Sequence, residues 1–326
     1  MIRIGILGAA KIAPGALIKP VKKRHDCEIA CVAARDETRA RAYAEANGIA
    51  RAAGSYEDLI TDPDIDLIYN ALPPNRHAGL TIAALEAGKA VLCEKPFAMN
   101  AREAQAMADA SARTGRPLIE AFHYRFHPMF EEVLRQVKDG AIGRLCAIRS
   151  EFSVAIRYSP GELRHDPALG GGALMDLGCY AVHWARTVAG SEPRVTRASA
   201  KLSEHGVDLV TTAELAFEGG VTAQVRTSMA PGQRFKALLA IQGSEGALIA
   251  RNPLHPSHGH SIAIRRGLSV KRYSVPGETT YDHQLAHVID VLNGKTLPLT
   301  GGPDAVANMA LIDEIYAAAG VARDFV

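Results

Sequence analysis

The chain has 326 residues, of which 48% are hydrophobic and 22% charged, so it is long enough for two globular domains. Its 37 basic and 35 acidic residues are spread evenly and leave a net charge of +2, which argues against a nucleic-acid-binding surface. The N-terminus does not resemble a signal peptide and no apolar run has membrane-spanning length, so we expect a cytoplasmic protein. Five cysteines without a zinc-binding spacing fit reduced thiols.

The first segment has the layout of a dinucleotide-binding turn. A strand over Ile2–Leu7 leads through a loop into a helix, where the fingerprint G-x-G-x-x-G is normally found. Alanines at 10 and 13 replace the second and third glycines, so the match by itself is weak, and a plain strand, turn and helix would look the same. The residues expected to contact the cofactor here are Gly8, Ala9, Ala10 and Ile12.

The end of the second predicted strand, 28–33, bears on the choice of cofactor. An NAD site normally places an acid at this point, where it binds the ribose 2′-hydroxyl. This chain has Ala34 followed by Arg35, and a guanidinium group suits a 2′-phosphate. Asp36 argues mildly for NAD. We therefore expect NADP, bound in part by Arg35, with NAD less favoured.

A third strand, 65–70, runs into a stiff proline-containing loop at the same sheet edge. Asn75 is predicted to cap a helix over 76–87 that Gly88 ends, and a capping role does not exclude contact with a cofactor. The loop residues expected to contact the cofactor are Leu72, Pro73, Asn75 and His77.

The stretch AVLCEKPF, 90–97, is the centre of the predicted site. Its apolar half is typical of a strand buried on both faces of a parallel sheet, and Lys95 follows at the carboxyl end, where open α/β sheets hold their ligands. Lys95 can donate three hydrogen bonds and a positive charge, and Pro96 stiffens the backbone beside it. An ordinary surface lysine is the alternative. Glu94 and Lys95 are both also expected to contact the cofactor.

Strands and helices alternate up to residue 122. A helix that Asn100 and Glu103 open and Gly115 closes precedes a fifth strand, 117–122. This alternation predicts a doubly wound parallel sheet, so residues 1–122 are assigned to a dinucleotide-binding Rossmann domain.

From residue 123 the pattern changes to short alternating runs, which indicate an open, mostly antiparallel sheet. The predicted strands are 145–154, 195–202, 208–217, 221–229, 235–242 and 247–250, and the helices are 128–138, 282–292 and 303–319. Residues 123–326 are therefore assigned to a second, α+β domain. Its last helix is a candidate to pack back on the first domain.

A glycine-rich turn in this second half leads into a helix with three polar residues. The glycines at 170–172 would allow a close approach of the backbone to a ligand. Asp176, Tyr180 and His183 follow at i, i+4 and i+7, on one face of a regular helix. A buried neutral structural histidine is the favoured interpretation of His183, with substrate contact as its alternative. The other substrate-binding candidates are Arg164 and Phe152.

Three loop histidines, His255, His258 and His260, are the only candidates for a metal site. No acid or cysteine accompanies them locally, so we expect no metal.

Three motifs in order, the turn at Gly8, Glu94-Lys95-Pro96 and the GGGALMDLGCY segment, resemble the glucose–fructose oxidoreductase / inositol dehydrogenase family. The segments YRFHP (124–128) and LRHDP (163–167) extend the resemblance over essentially the whole chain. It is greatest to the branch with NADP-dependent D-xylose dehydrogenases and dimeric dihydrodiol dehydrogenases.

The resemblance implies a Rossmann domain, a C-terminal sheet that often forms a homodimer or homotetramer interface, and no metal. It also implies catalytic roles for Lys95, Asp176 and Tyr180, and a weaker case for Arg125 at the cofactor. Many members carry histidine where this chain has Tyr180. The missing fingerprint glycines are a second departure, and they affect the expected geometry of the cofactor.

These residues suit hydride transfer, in which a hydroxyl proton must leave with the hydride. The ordinary pKa of tyrosine is about 10, and a nearby lysine could lower it by roughly 1–3, which is the role expected of Lys95 toward Tyr180. We therefore predict an NADP-dependent oxidoreductase acting on a sugar or polyol, an aldose such as D-xylose or a related pyranose. The alternatives are a trans-dihydrodiol or small carbonyl oxidoreductase and a catalytically silent nicotinamide-binding sensor.

Overall fold

The computed structural model describes residues 1–323, which form two compact units. The first unit comprises Met1–His123 and Tyr281–Val306, and the second comprises Tyr124–Thr280 and the segment that begins at Ala307. The sequence placed 281–306 in the second domain instead. That segment is tied into the first unit by Thr300 Oγ1, which donates to the Glu120 carbonyl at 2.7 Å, so a contact distant in sequence decides its place. Residues 324–326 of the predicted second domain lie outside the described residues.

The first unit contains a six-stranded parallel sheet, as the alternation of strands and helices predicted. Its strands are β1 (Ile2–Leu7), β2 (Cys27–Ala33), β3 (Arg51–Ala52), β4 (Leu67–Asn70), β5 (Ala90–Cys93) and β6 (Leu118–Glu120). The order in the sheet is β3-β2-β1-β4-β5-β6, a doubly wound arrangement of the Rossmann type. β3 was not predicted, because two residues are too few to give a pattern.

Helices are numbered along the whole chain. The first five lie in this unit: α1 (Lys19–Val21), α2 (Glu37–Asn47), α3 (Tyr56–Thr61), α4 (His77–Glu86) and α5 (Ala101–Thr114). The predicted capping of α5 is confirmed, since the Glu103 amide donates to Asn100 Oδ1 and Gly115 ends the helix at a φ of 66°. The predicted cap by Asn75 is wrong. A 3₁₀ turn over Pro74–Arg76 precedes α4, so Asn75 lies inside a turn and α4 begins without a side-chain cap.

The second unit is built around an eight-stranded sheet, which confirms the predicted α+β class. Its helices are α6 (Pro128–Lys138) and α7 (Cys179–Ala189), and two more helices, α8 (Thr280–Leu292) and α9 (Pro303–Ala318), follow the sheet in the chain. The strands are β7 (Leu145–Ser153), β8 (Arg194–Leu202), β9 (Asp208–Ala216), β10 (Thr222–Ser228), β11 (Lys236–Gly243), β12 (Gly246–Arg251), β13 (Ser261–Arg266) and β14 (Ser269–Tyr273).

The order of this sheet is β14-β13-β12-β11-β7-β10-β9-β8, and of its seven pairs only β7 with β10 is parallel. The hairpin of β13 and β14 was missed, because it lies at an edge of the sheet and β14 is almost entirely exposed. α7 covers one face of the sheet, and almost all of its residues are buried there.

Two sequence expectations about the whole chain can be compared with residues 1–323. Within them no helix has both the length and the apolar character needed to cross a membrane. The five cysteines there are free thiols, and all but Cys146 are buried.

Candidate functional site

In the first unit, the loops after β1 and β4 meet at the point where the strand order reverses, the usual ligand crevice of such a sheet. Gly8 ends β1 with a φ of 103°, and a Cβ there would lie 3.0 Å from Leu72 Cδ2 and 3.3 Å from the Ala71 carbonyl oxygen. Only glycine fits this backbone and this space. The first glycine of the fingerprint is therefore required, and the residues present fit the close backbone approach that a dinucleotide needs.

Side chains of α2 hold the loop that follows Gly8. Arg39 Nη2 donates to the Ala9 carbonyl at 3.4 Å, and the Tyr43 hydroxyl donates to the Ala10 carbonyl at 2.9 Å. Ile12 is 42% exposed. The loop then enters a π-helical turn over Pro14–Ile18 instead of a regular α-helix.

The residues after β2 present positive charge at the surface. Arg35 is exposed, and its ion pair with Asp36 spans 3.7 Å. Asp36 caps α2, because its Oδ1 accepts the Arg39 amide at 2.8 Å. Burial raises the pKa of Tyr56, and the charges of Arg76, Arg39 and Arg35 oppose that rise. Sequence reasoning missed Arg39 and Arg76, which no fingerprint position marks.

His77 joins the two loops at the carboxyl edge of this sheet. Its ring is fully buried, with Nε2 2.8 Å from the Leu72 carbonyl oxygen and Nδ1 3.0 Å from that of Pro96. Burial lowers the pKa of His77, the two carbonyl contacts oppose this, and the charge of Lys95 lowers the pKa further. His77 thus fixes the position of Leu72 and of the stretch after Lys95. Pro73 lies between them half-buried, and Asn75 is exposed.

Lys95 follows β5 at the predicted place and is half-buried, and its peptide bond to Pro96 is cis. The neighbouring Glu94 accepts a 2.6 Å hydrogen bond from the hydroxyl of the fully buried Tyr69. Burial raises the pKa of Tyr69 well above its ordinary value, and the Glu94 charge adds to this, so Tyr69 remains a donor. Burial likewise raises the pKa of Tyr281 in α8, and Glu94 again contributes.

In the second unit, Asp176 and Arg164 are brought together. Arg164 Nε donates to Asp176 Oδ2 at 3.2 Å, and its Nη1 donates to Glu162 at 2.9 Å. Burial lowers the pKa of Arg164, but the two carboxylates outweigh it and raise the pKa overall. Asp176 lies in a π-helical turn, Leu174–Gly178, so the regular helical stripe predicted for Asp176, Tyr180 and His183 is not what forms.

Tyr180 lies in a cluster of aromatic rings at the start of α7. Its ring centroid is 5.7 Å from Phe152, 6.0 Å from Tyr124 and 6.5 Å from Trp184. The cluster continues to Phe235, 6.1 Å from Phe152 and 52% exposed. Sequence reasoning missed Tyr124, Trp184 and Phe235; only the i+4 spacing of Tyr180 and Trp184 was visible there.

The remaining predicted residues have clear surroundings. His183 is buried with Nδ1 2.6 Å from the Tyr124 hydroxyl. Arg125 is half-buried, and its guanidinium lies 5.9 Å from the Phe130 ring centroid. Among residues 1–323 no group of three or more His, Cys, Asp or Glu is placed to hold a metal. His260, the last of the loop histidines, contacts backbone groups of Pro256 and Val275.

The glycines before Asp176 serve contacts within the protein. A Cβ on Gly171 would lie 2.7 Å from the Arg164 carbonyl oxygen, and one on Gly172 would lie 2.3 Å from Asp208 Oδ1. The sequence interpretation assigned this freedom to ligand approach, whereas the close partners are groups of the second unit itself.

Comparisons with known proteins agree with this description. The family model described as an oxidoreductase family with NAD-binding Rossmann fold matches residues 2–122, and that of the GFO/IDH/MocA C-terminal domain matches residues 130–249. D-xylose 1-dehydrogenase (NADP(+)) 2 of Haloferax volcanii is 34% identical, over 97% of this chain and 96% of the relative. Trans-1,2-dihydrobenzene-1,2-diol dehydrogenase of Xenopus tropicalis is 37% identical, over 66% of this chain and 65% of the relative. The crystal structure of aldose-aldose oxidoreductase from Caulobacter crescentus complexed with glycerol has a TM-score of 0.88 and 27% identity, covering 98% of this chain and 97% of its own.

Proposed function

This chain belongs to the Gfo/Idh/MocA family of NAD(P)-dependent oxidoreductases, which act on CH–OH groups, and we propose that its reaction uses NADP and a sugar or polyol. The substrate class we favour is an aldose such as D-xylose or a related pyranose. The observation that carries the proposal is Lys95, which follows β5 at the carboxyl edge of the dinucleotide-binding sheet. Similarity to a D-xylose dehydrogenase over nearly the whole chain supports the substrate class.

The preference for NADP rests on the charges after β2. Arg35 and Arg39 offer guanidinium groups for a 2′-phosphate, and Asp36 is engaged in capping α2. Hydrogen bonds to charged groups contribute about 1.5–3 kcal/mol, so Arg35→Gln should weaken NADP binding roughly 10- to 100-fold. NAD binding should stay within about twofold by the same reasoning, since NAD lacks the phosphate. Arg41→Gln, which changes an exposed arginine of the adjacent helix α2, is the control. Equal losses for NADP and NAD would refute this assignment.

We propose that Tyr180 transfers the proton in this reaction and that Lys95 lowers the pKa of Tyr180. The nicotinamide, when bound, would accept or supply the hydride. Tyr180 would remove the hydroxyl proton during oxidation and return it during reduction. The Lys95 ammonium would favour the phenolate and stabilise negative charge on the substrate oxygen. Asp176, oriented by Arg164, would bind a neighbouring substrate hydroxyl.

The test is nicotinamide absorbance with NADP and with NAD against aldoses, inositols, anhydrosugars and trans-diols. Lys95→Ala should lower turnover about 100- to 1000-fold, as does loss of a group that stabilises a developing oxyanion, with NADPH binding retained. Lys22→Ala, an exposed lysine of the same unit, should behave as wild type. Near-normal turnover in Lys95→Ala would refute the assignment. No turnover across the panel, despite tight NADPH binding, would favour a sensor.

A second candidate substrate class is a trans-dihydrodiol. The aromatic cluster of Tyr180, Phe152 and the exposed Phe235 favours a ligand with an apolar ring face. A dihydrodiol dehydrogenase is among the relatives. Higher kcat/KM for trans-diols than for any aldose in the same panel would select this candidate.

We also propose that the second unit forms a homodimer or homotetramer through the sheet face opposite α7. On that face Leu238, Ala240 and Ile249 are partly exposed and alternate with buried neighbours. Beside them the buried Glu151 carboxylate forms a salt bridge with Lys236, with 2.7 Å between Oε2 and Nζ. Sedimentation of Leu238→Glu should show a smaller species than the wild type. A monomeric wild type would refute the proposal.

A further inference from the structure

The helical segment that carries Asp176 and Tyr180 begins without a cap of its own. Ala173 precedes the π-helical turn Leu174–Gly178 and provides no side-chain hydrogen bond to the first amides. Amides at a buried helix start need acceptors, because a buried N–H without one is destabilising. The acceptor for the Leu174 amide comes from another element. It is the carboxylate of Asp208, at the start of β9, at 2.9 Å.

Asp208 is 1% exposed, and both of its oxygens are used inside the protein. Oδ2 accepts the Thr211 hydroxyl at 2.6 Å as well as the Leu174 amide, and Oδ1 accepts the Tyr316 hydroxyl at 2.7 Å. Three donors, one of them a main-chain amide, offset the burial of this charge. Burial raises the pKa of Tyr316 well above its ordinary value, and the charge of Asp208 raises it further, so Tyr316 remains a donor.

The backbone before the π-helical turn is packed directly on this carboxylate. Gly172 has a φ of 123°, and a Cβ there would lie 2.3 Å from Asp208 Oδ1 and 2.9 Å from the Tyr316 hydroxyl oxygen. The Asp176 amide in turn donates to the Gly172 carbonyl at 3.0 Å. The position of Asp208 therefore determines the positions of Gly172 and Leu174. Through them it determines the position of Asp176 and of the start of α7, which follows in the same segment.

We infer that Asp208 is a positioning residue that places Asp176 and Tyr180 for the reaction. This inference rests on the function proposed above. Asp208 is 1% exposed and both of its oxygens accept hydrogen bonds from the protein, so we expect it to act through the segment that it holds. Small displacements of reacting groups have large kinetic effects, about 100-fold for a misplacement near 1 Å.

The test is Asp208→Asn, which keeps the size of the side chain and removes its charge. An amide presents one acceptor oxygen where the three donors now meet two. We expect kcat to fall roughly tenfold or more, while the Kd for NADPH, which is bound by the first unit, stays within about twofold. Tyr316→Phe removes a single donor and should lower kcat less, and it replaces Asp208→Asn if that variant does not fold.

Glu192→Gln is the matched control, because it perturbs the other end of α7. Both carboxylate oxygens of Glu192 accept hydrogen bonds from the Arg186 guanidinium, each at 2.6 Å. Weakening this pair should lower stability without changing contacts at the helix start. A merely structural role for Asp208 predicts that both variants lose kcat only in proportion to their loss of thermal stability. That result would overturn the inference.

The sign of a pH shift separates positioning from a direct charge effect. Removing the Asp208 carboxylate should by itself lower the pKa of a nearby phenol. Moving Tyr180 away from Lys95, its proposed partner, should raise the pKa. Ultraviolet titration of the phenolate, taken as the difference from Tyr180→Phe, should therefore shift upward in Asp208→Asn. No shift, or a downward shift, would overturn the inference.

Failure of the proposed function has a different signature. A wild type that turns over no substrate, or a Tyr180 titration unchanged by Lys95→Ala, would refute the proposed chemistry. The positioning role of Asp208 can then be tested without activity, by hydrogen exchange of the amides of Leu174–Gly178. Exchange there should rise in Asp208→Asn and stay unchanged in Glu192→Gln, and equal exchange in the two variants would refute the positioning role.

Discussion

Gly172→Ala tests whether the glycine turn before Asp176 is set by contacts within the second unit. The added methyl would lie 2.3 Å from Asp208 Oδ1 and 2.9 Å from the Tyr316 hydroxyl oxygen, and both partners are buried. The φ of 123° is a second obstacle, because side-chain-bearing residues rarely adopt it. Backbone strain of this kind costs about 1–3 kcal/mol, and overpacking of a buried site costs about 1–3 kcal/mol more. The free energy of unfolding should therefore fall by about 2–6 kcal/mol.

Gly190→Ala, at the other end of α7, separates the two contributions. Gly190 has a φ of 68°, and nothing lies within 4 Å of a Cβ built there. Its substitution should cost only the left-handed backbone conformation, about 1–2 kcal/mol. The excess in Gly172→Ala then reports the contacts with Asp208 and Tyr316 together with the more strained φ of 123°.

The assay can be confined to the second unit, because the chain has one tryptophan and it lies in α7. Trp184 fluorescence during urea unfolding reports the free energy of unfolding around the helix that Gly172 precedes. Gly172→Ala should also lower kcat if Asp208 positions this helix. A loss of stability no greater than that of Gly190→Ala would refute the reasoning, since it would mean that the turn relaxes freely.

Three further predictions concern buried or half-buried polar groups. Tyr69→Phe deletes the 2.6 Å hydrogen bond to Glu94, so the free energy of unfolding should fall by about 1.5–3 kcal/mol in urea titrations, and an unchanged value would contradict this role. His77 has a lowered pKa in the folded state, so its contribution is complete above about 6.5 and declines as the pH falls below that value. Below that pH, the free energy of unfolding of His77→Gln should depend less steeply on pH than that of the wild type. Arg135 is the main cause that lowers the pKa of Glu132 to about 2, so the stability that Glu132 contributes is present above 4.5 and lost as the pH falls toward 2. Glu132→Gln should flatten that acid limb, and thermal melts that parallel wild type down to the lowest pH would refute it.

The sequence was most informative where a signal is local. β5 has the predicted bounds because it is a continuous apolar run that ends at a charged residue, and β1 because its mostly apolar run ends at Gly8. α5 has the predicted caps because Asn100, Glu103 and Gly115 lie at fixed offsets within one helix. These elements place the residue at the centre of the predicted site, Lys95, at the end of β5.

Contacts between residues far apart in sequence left no such signal. The Tyr69 hydrogen bond to Glu94, the position of His77 between Leu72 and Pro96, and the capping of Leu174 by Asp208 each join separate elements. A histidine or an aspartate in such a pair has the same local pattern as one on a surface. For the same reason Asn75 was assigned as a cap, although the 3₁₀ turn around it moves the start of α4 beyond its reach.

These buried pairs divide the residues of each half of the site into two layers with different expected effects. Tyr69 and His77 in the first unit, and Asp208 in the second, bond backbone or carboxylate groups in a low-dielectric interior, where a partner is costly to lose. Because their side chains are buried among groups of the protein, their substitution should change kcat and stability for every substrate alike. Phe235 is 52% exposed and packs beside Phe152 in the aromatic cluster around Tyr180. Because it can contact a substrate without supporting the fold, exchanges there should change the ranking of aldoses and trans-diols while leaving stability nearly unchanged. The division between family chemistry and individual substrate choice therefore follows burial rather than position along the chain.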